Sequence, residues 1–145
     1  MPGKMAGFMA AALASLRSIP TLTPQQAATV TLHITTLAGG NALSNFRAQQ
    51  LQPALEAIHP KISGIAARFV HLVATDAAPT PPELERLAAL LTYGDPYEGP
   101  QEGAALVVTP RLGTLSPWAS KATDIARNCG IAIRRVERIT EYRIS

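Results

Sequence analysis

The run Phe69-Val70-His71-Leu72-Val73 restricts the possible folds of this chain more than any other feature. It sits at the centre of a strand candidate, Ile62 to Thr75, and is largely apolar on both alternating sides. A strand with one face in water keeps one polar side, so this pattern belongs to the interior of a sheet. Its neighbours must come from other stretches rich in β-branched or apolar residues. Three are available: Thr29 to Thr36, Ala104 to Thr109, and the tail Ile131 to Ile144. The tail's alternation breaks around Arg134 to Val136, which predicts a bulge or a bend there.

Helical patterns separate these strands. Gly39-Gly40-Asn41 reads as a turn, and Asn41 or Ser44 can cap a helix that carries Leu43, Phe46, Leu51, Leu55 and Ile58. Pro53 lies inside that helix and is expected to kink or split it, since it lacks the N–H that would bond four residues back. Thr80, Pro81 and Glu83 spell a capped helix start. Leu84, Leu87, Ala88 and Leu91 form its buried stripe, and Gly94 ends it. Asp95 to Gly103 is a surface loop. A third helix starts at Ser116-Pro117 and ends at Gly130, with Ala122, Ile125, Ala126 and Cys129 on its expected core face. The order is β-α-β, a helix, then β-α-β. That alternation suits a parallel α/β sheet and a two-layer α+β fold equally well.

Nearly half of the 145 residues are apolar and only 16% are charged, so the chain is expected to be globular, in one domain. Aromatic residues make up 5%, so the core must rest on Leu, Ile, Val and Ala. The single cysteine, Cys129, excludes an internal disulfide framework and suggests a reducing, cytoplasmic setting. The net charge of +3 is unevenly placed. From Pro110 onward Arg111, Lys121, Arg127, Arg134, Arg135, Arg138 and Arg143 face only Asp124, Glu137 and Glu141. A solvated or domain-docking face is the simpler reading of that basic end, ahead of an anionic partner. The run lacks the aromatic interleaving of a stacking platform, so nucleic acid is not expected as a partner. Residues 1–28 hold Lys4 and the apolar run Met5 to Leu16, which is too short to span a membrane. They read as a short helix or a loosely ordered extension rather than a signal peptide, and no membrane partner is expected.

No catalytic constellation is visible. His33, His59 and His71 have no metal-ligand spacing and are read as structural or solvated. Cys129 is expected to be a small core residue near a helix C-terminus, where the dipole opposes an anion. Gly39-Gly40-Asn41 lacks the lysine and the spacing of a phosphate loop. One segment is denser in small polar groups than the rest: Thr109 to Gly130, with Trp118, the only tryptophan. By itself it reads as a strand-to-helix corner in which Trp118 fills a gap in the core.

Its text, VTPRLGTLSPWASKATDIARNCG, resembles a signature in the N-terminal domain of the large, single-chain formylglycinamide ribonucleotide amidotransferases. Ala42-Leu43-Ser44-Asn45-Phe46-Arg47 resembles the family's opening helix, and Phe69-Val70-His71-Leu72 its second strand. Leu90-Leu91-Thr92-Tyr93-Gly94 and Arg135-Val136-Glu137-Arg138 agree as well, so the resemblance runs from about Leu37 to the C-terminus. The resemblance implies an α+β domain, residues 29–145. Its two similar β-α-β halves form a mainly antiparallel sheet with helices packed on it, like a fused dimer of the small subunit of split enzymes. It also implies a setting in purine biosynthesis, beside synthetase and glutaminase domains. The complete enzyme uses ATP and magnesium to activate a formyl amide, which ammonia from glutamine converts to an amidine.

None of that catalytic machinery matches residues of this chain, so no cofactor and no catalysis are expected from it alone. The family would continue past Ser145 into a linker and an ATP-binding domain, and residues 1–28 match no family pattern. The chain therefore reads as a fragment or a truncated reading frame, and residues 1–28 suggest an upstream start codon or a lineage-specific leader. Arg111, Ser116, Trp118, Ser120, Lys121, Thr123 and Asp124 are the expected interdomain or near-active-site contacts. The alternative expectation is a free-standing regulatory module that binds an anion or nucleotide through the basic end.

Overall fold

The computed structural model describes residues 31–145; the expectations for residues 1–28, and the start of the first strand candidate at Thr29 and Val30, lie outside them. The described elements are β1 (His33–Asn41), α1 (Asn45–Ile58), β2 (Ile65–Thr75), α2 (Pro81–Leu91), β3 (Ala104–Val108), α3 (Pro117–Asn128) and β4 (Arg135–Ile144). The strands form one sheet in the order β1-β2-β4-β3, and every neighbouring pair is antiparallel. The fold is therefore α+β, which settles the choice that the alternation of strands and helices leaves open. As the apolar run in β2 requires, that strand is interior, paired over most of its length with β1 and β4.

The pleat decides what each face carries. Phe69, His71 and Val73 of β2 share a face with Val136, Arg138 and Thr140 of β4 and with Leu37 of β1. Helices α2 and α3 pack on that face. The core joins Val73 and Val136 to Leu87 and Leu91 of α2, Ala126 of α3, and Ile131 and Ile133. Helix α2 begins as its sequence predicts: Pro81 opens it, and the Glu83 carboxylate accepts from the Thr80 backbone N–H and hydroxyl, both at 2.8 Å. The loop after α2 crosses the opposite face at one end of the sheet. Arg68 holds it by donating to Gln101 at 3.1 Å and lying over the Tyr97 ring, and Arg143 donates to the Gly103 carbonyl.

Several expectations need correction. Gly39, Gly40 and Asn41 form no turn but complete β1, across a register shift between Ala38 and Asn41. The glycines are required by crowding. A Cβ on Gly39 would stand 2.6 Å from His71 Cε1 and 2.9 Å from the Phe69 carbonyl oxygen. A Cβ on Gly40 would stand 2.5 Å from the Asp95 oxygen, because the chain leaving α2 runs against this edge and Asp95 accepts from the Asn41 N–H. Pro53 does not split α1, which runs unbroken from Asn45 to Ile58 under a Ser44 cap. It sits in a helix with no buried residue, where the missing N–H leaves a carbonyl that water can reach. Leu43 is buried, but Phe46, Leu51 and Ile58 are exposed.

The core stripe of α3 is Ala119, Thr123 and Ala126; of the expected face, Ala126 is buried and Ala122 packs against the core, while Ile125 and Cys129 are not part of it. Ile125 is exposed, and Cys129 is the exposed C-cap rather than a core residue. Trp118 and Thr123 set the rotation of this helix, since one stacks on His71 of the sheet and the other accepts a hydrogen bond from the Val136 N–H of β4. Of the bulge or bend expected in the tail, the bend is present at Arg134, and there is no bulge, since β4 pairs with β2 without a shift from Arg135 to Ile144. The break near Arg134 marks the strand's start, preceded by Ile131 and Ile133, which are buried in irregular chain.

Candidate functional site

The densest group of chemically versatile side chains lies on the helix-packed face where β2 and β4 meet the start of α3. His71 and Arg138 are register partners on the two central strands, so the sheet itself sets them side by side. Phe69 flanks them on β2. Tyr93 reaches in from the end of α2, and Trp118 comes from the first turn of α3, which Ser116 caps by accepting from the Ala119 N–H at 3.0 Å.

His71 is fully buried; its ring stacks on Trp118 with centroids 5.5 Å apart, and its Nε2 lies 2.8 Å from the Tyr93 hydroxyl. Arg138 donates to the same Tyr93 oxygen at 3.2 Å. Arginine can only donate, so the Tyr93 hydrogen is left for His71 Nε2, and the neutral imidazole keeps its proton on Nδ1. That Nδ1 makes no well-formed hydrogen bond. Burial lowers the His71 pKa from its ordinary value, the Arg138 charge lowers it further, and the Leu37 backbone pulls weakly the other way. The guanidinium of Arg138 lies 4.3 Å from the Phe69 ring centroid and 4.6 Å from that of Trp118. Two aromatic faces thus hold it in place.

The residues singled out from sequence are not gathered at one point. Ser116 caps α3 and donates to Glu137 at 3.0 Å; Trp118 enters the cluster above. Lys121 lines a small crevice of about 160 Å³ with Trp118, Tyr93, Leu91 and Ile125. Thr123 faces inward, buried, and its hydroxyl accepts from the Val136 N–H at 3.0 Å, so it serves the core and presents nothing to a neighbour. Ser120 and Asp124 are exposed on α3, and Arg111 is exposed on the loop before it, where its carbonyl accepts from Thr114.

The basic end is largely spent within the domain. Arg134 pairs with Asp76, Arg135 with Glu137, and Arg143 with Glu141, which Arg68 also reaches. Arg127 donates to the carbonyls of Ile133 and Arg134. Burial pushes the Glu137 carboxyl upward. The Arg138 backbone N–H, the Arg135 guanidinium and the Ser116 hydroxyl outweigh that and hold it below its ordinary value. Among the described residues Arg111, Lys121, Arg127 and Arg138 from this stretch lack a carboxylate partner, and Arg127 is engaged by backbone carbonyls instead. Among the described residues no group of three His, Cys, Asp or Glu side chains is placed to hold a metal, and no helix is long and apolar enough to cross a membrane.

His71, Tyr93, Phe69 and Arg138 are absent from the sequence-based set. A histidine and an arginine sixty-odd positions apart meet only once the β2–β4 register is known, and nothing local marks that pairing. The one available signal was an ionisable residue at the centre of an apolar strand.

The family model described as formylglycinamide ribonucleotide amidotransferase N-terminal matches residues 68–145, more than half of the chain. The match takes in most of β2, everything from there through β4, and the whole aromatic cluster; the Ala42–Arg47 segment lies ahead of it. The chain thus belongs to the formylglycinamide ribonucleotide amidotransferase family of purine biosynthesis, as an N-terminal domain of that enzyme.

Proposed function

We propose that this domain acts by docking: it packs against the synthetase and glutaminase domains of its enzyme and helps hold the route by which ammonia passes between them. The observation that carries the reading is an uncovered apolar margin. All five residues of β3 are exposed, and the loop that follows shows Leu112 at 95% and Leu115 at 67% exposure. Natural domains cover or charge such edges, so a margin left apolar suits an interface within a larger protein. Arg111 adjoins Leu112 in that loop and would supply a polar contact at its rim, while Ser120, Lys121 and Asp124 are exposed on α3 and would meet a neighbour there. ATP and magnesium would belong to the other domains, and the enzyme to the cytoplasm.

The order of the strands also supports a fused-dimer origin. Each half is a β-α-β unit whose two strands pair antiparallel, and the halves join through β2 and β4 at the centre. A two-fold axis between the central strands would exchange β1 with β3, the arrangement expected when two copies of a small subunit become one chain.

Replacement of Leu112 and Leu115 by Asp in the complete enzyme tests the docking role without touching the domain's core. Glutamine-dependent turnover is expected to fall by about tenfold or more, with ammonia-dependent turnover much less affected. Unchanged kinetics with both nitrogen sources would overturn the reading.

A further inference from the structure

Arg138 differs from the other arginines near it. It has no carboxylate partner among the described residues, and its single hydrogen bond uses Nη1. Its Nε and Nη2 are not among the sealed, unsatisfied polar atoms of the core. Arg138 lines a groove of about 320 Å³ walled by Phe69, Val108, Pro110 and Trp118, with Thr140 beside them. The groove exists because β3 leaves β4 there: the last paired residues are Val108 and Thr140, and Pro110 has no N–H with which to continue the ladder. A rigid guanidinium at the base of an apolar cleft has already lost the side-chain freedom that binding would otherwise have to remove.

We propose that this groove is a binding site for a carboxylate carried on an apolar body. The charge balance selects the class. One guanidinium faces the groove, and the ionised Glu137 bonds to Ser116 at its margin, so a singly charged carboxylate is matched where a phosphate dianion is not. The planar fork accepts two carboxylate oxygens, while the aromatic and aliphatic walls take the rest of the ligand. The same chemistry is offered by a free organic acid and by a Glu or Asp side chain on an apposed protein surface. The groove shares Val108 and Pro110 with the docking margin, but Leu112→Asp and Leu115→Asp leave its walls in place, so failure of the docking reading and failure of this one are distinguishable.

Trp118, the only tryptophan, stacks on the arginine and reports on the site directly. The full chain is titrated at fixed ionic strength with phenylacetate, with N-acetyl-glutamate α-amide, and with inorganic phosphate, following tryptophan fluorescence. Phenylacetate is expected to give a saturable change that Arg138→Met abolishes and Arg138→Lys weakens by about tenfold, since lysine keeps the charge but loses the fork. Saturation by the blocked glutamate as well identifies a protein side chain as a fitting source; saturation by phenylacetate alone identifies a free acid. Both support the site. Phosphate binding as tightly as either carboxylate, or no saturable response in the wild-type chain, overturns it whether or not the variants fold. A phenylacetate response unaltered in a folded Arg138→Met chain overturns it too.

Discussion

His71 shows how a single side chain can be both structural and sensitive to solution conditions. Its ring is buried, neutral and anchored by Tyr93, with the cationic Arg138 alongside. Burial first and that charge second lower its folded pKa below the ordinary value of 6.5. The unfolded chain therefore binds more protons between those two values, and the stability that neutral His71 contributes is complete above about pH 6.5 and is lost as pH falls toward the folded pKa. Urea unfolding midpoints should decline over that window. His71→Gln, which keeps an acceptor for Tyr93 but cannot titrate, is expected to flatten the decline; an unchanged pH slope would show that another group is responsible. Glu137 acts in the same direction at lower pH, because its folded pKa is depressed below 4.5.

Among the elements, α1 and α3 are both helices of similar length with opposite support. Helix α3 lays Ala119, Thr123 and Ala126 on the sheet and sends the Thr123 hydroxyl to a strand N–H. Helix α1 buries none of its residues, contains Pro53, and ties its flank to the body through Gln52 and the Ile62 carbonyl. A proline in a helix interior costs about 3 kcal/mol relative to alanine. Packing does not hide that cost here, so α1 should open locally before the rest of the domain. Hydrogen exchange is expected to be faster in α1 than in α3, and Pro53→Ala to slow it in α1 alone. Equal protection of the two helices would contradict this account.

Across the whole molecule, the sheet has covered and uncovered borders. The interior pair β2 and β4 is satisfied on both sides, whereas β3 offers an open ladder edge bearing Leu106, Val107 and Val108. Separated from neighbours, such an edge promotes strand-to-strand association. The isolated chain is expected to show a concentration-dependent increase in mass by light scattering, reduced by Val107→Lys. That side chain is exposed and lies opposite Glu141, which Arg68 and Arg143 already engage, so a lysine there extends an existing charge network at the surface without entering the core. A strictly monomeric wild-type chain at high concentration would remove this reading of the edge.

Local pattern was enough to specify the interior strand, the capped start of α2, the Ser116 cap of α3 and the family signature, since each depends on residues within a few positions of one another. The family itself was legible from Thr109 to Gly130 before any contact was known. Tertiary structure alone decided the antiparallel order, the rotation of α3 that leaves Cys129 exposed, the place of Gly39 and Gly40 inside β1, and the meeting of His71 with Arg138. Those outcomes rest on strand register and on steric contact between segments distant in the chain. Spacing along a sequence reports periodicity but not which strand will lie beside which, and that choice brings the arginine and the histidine together.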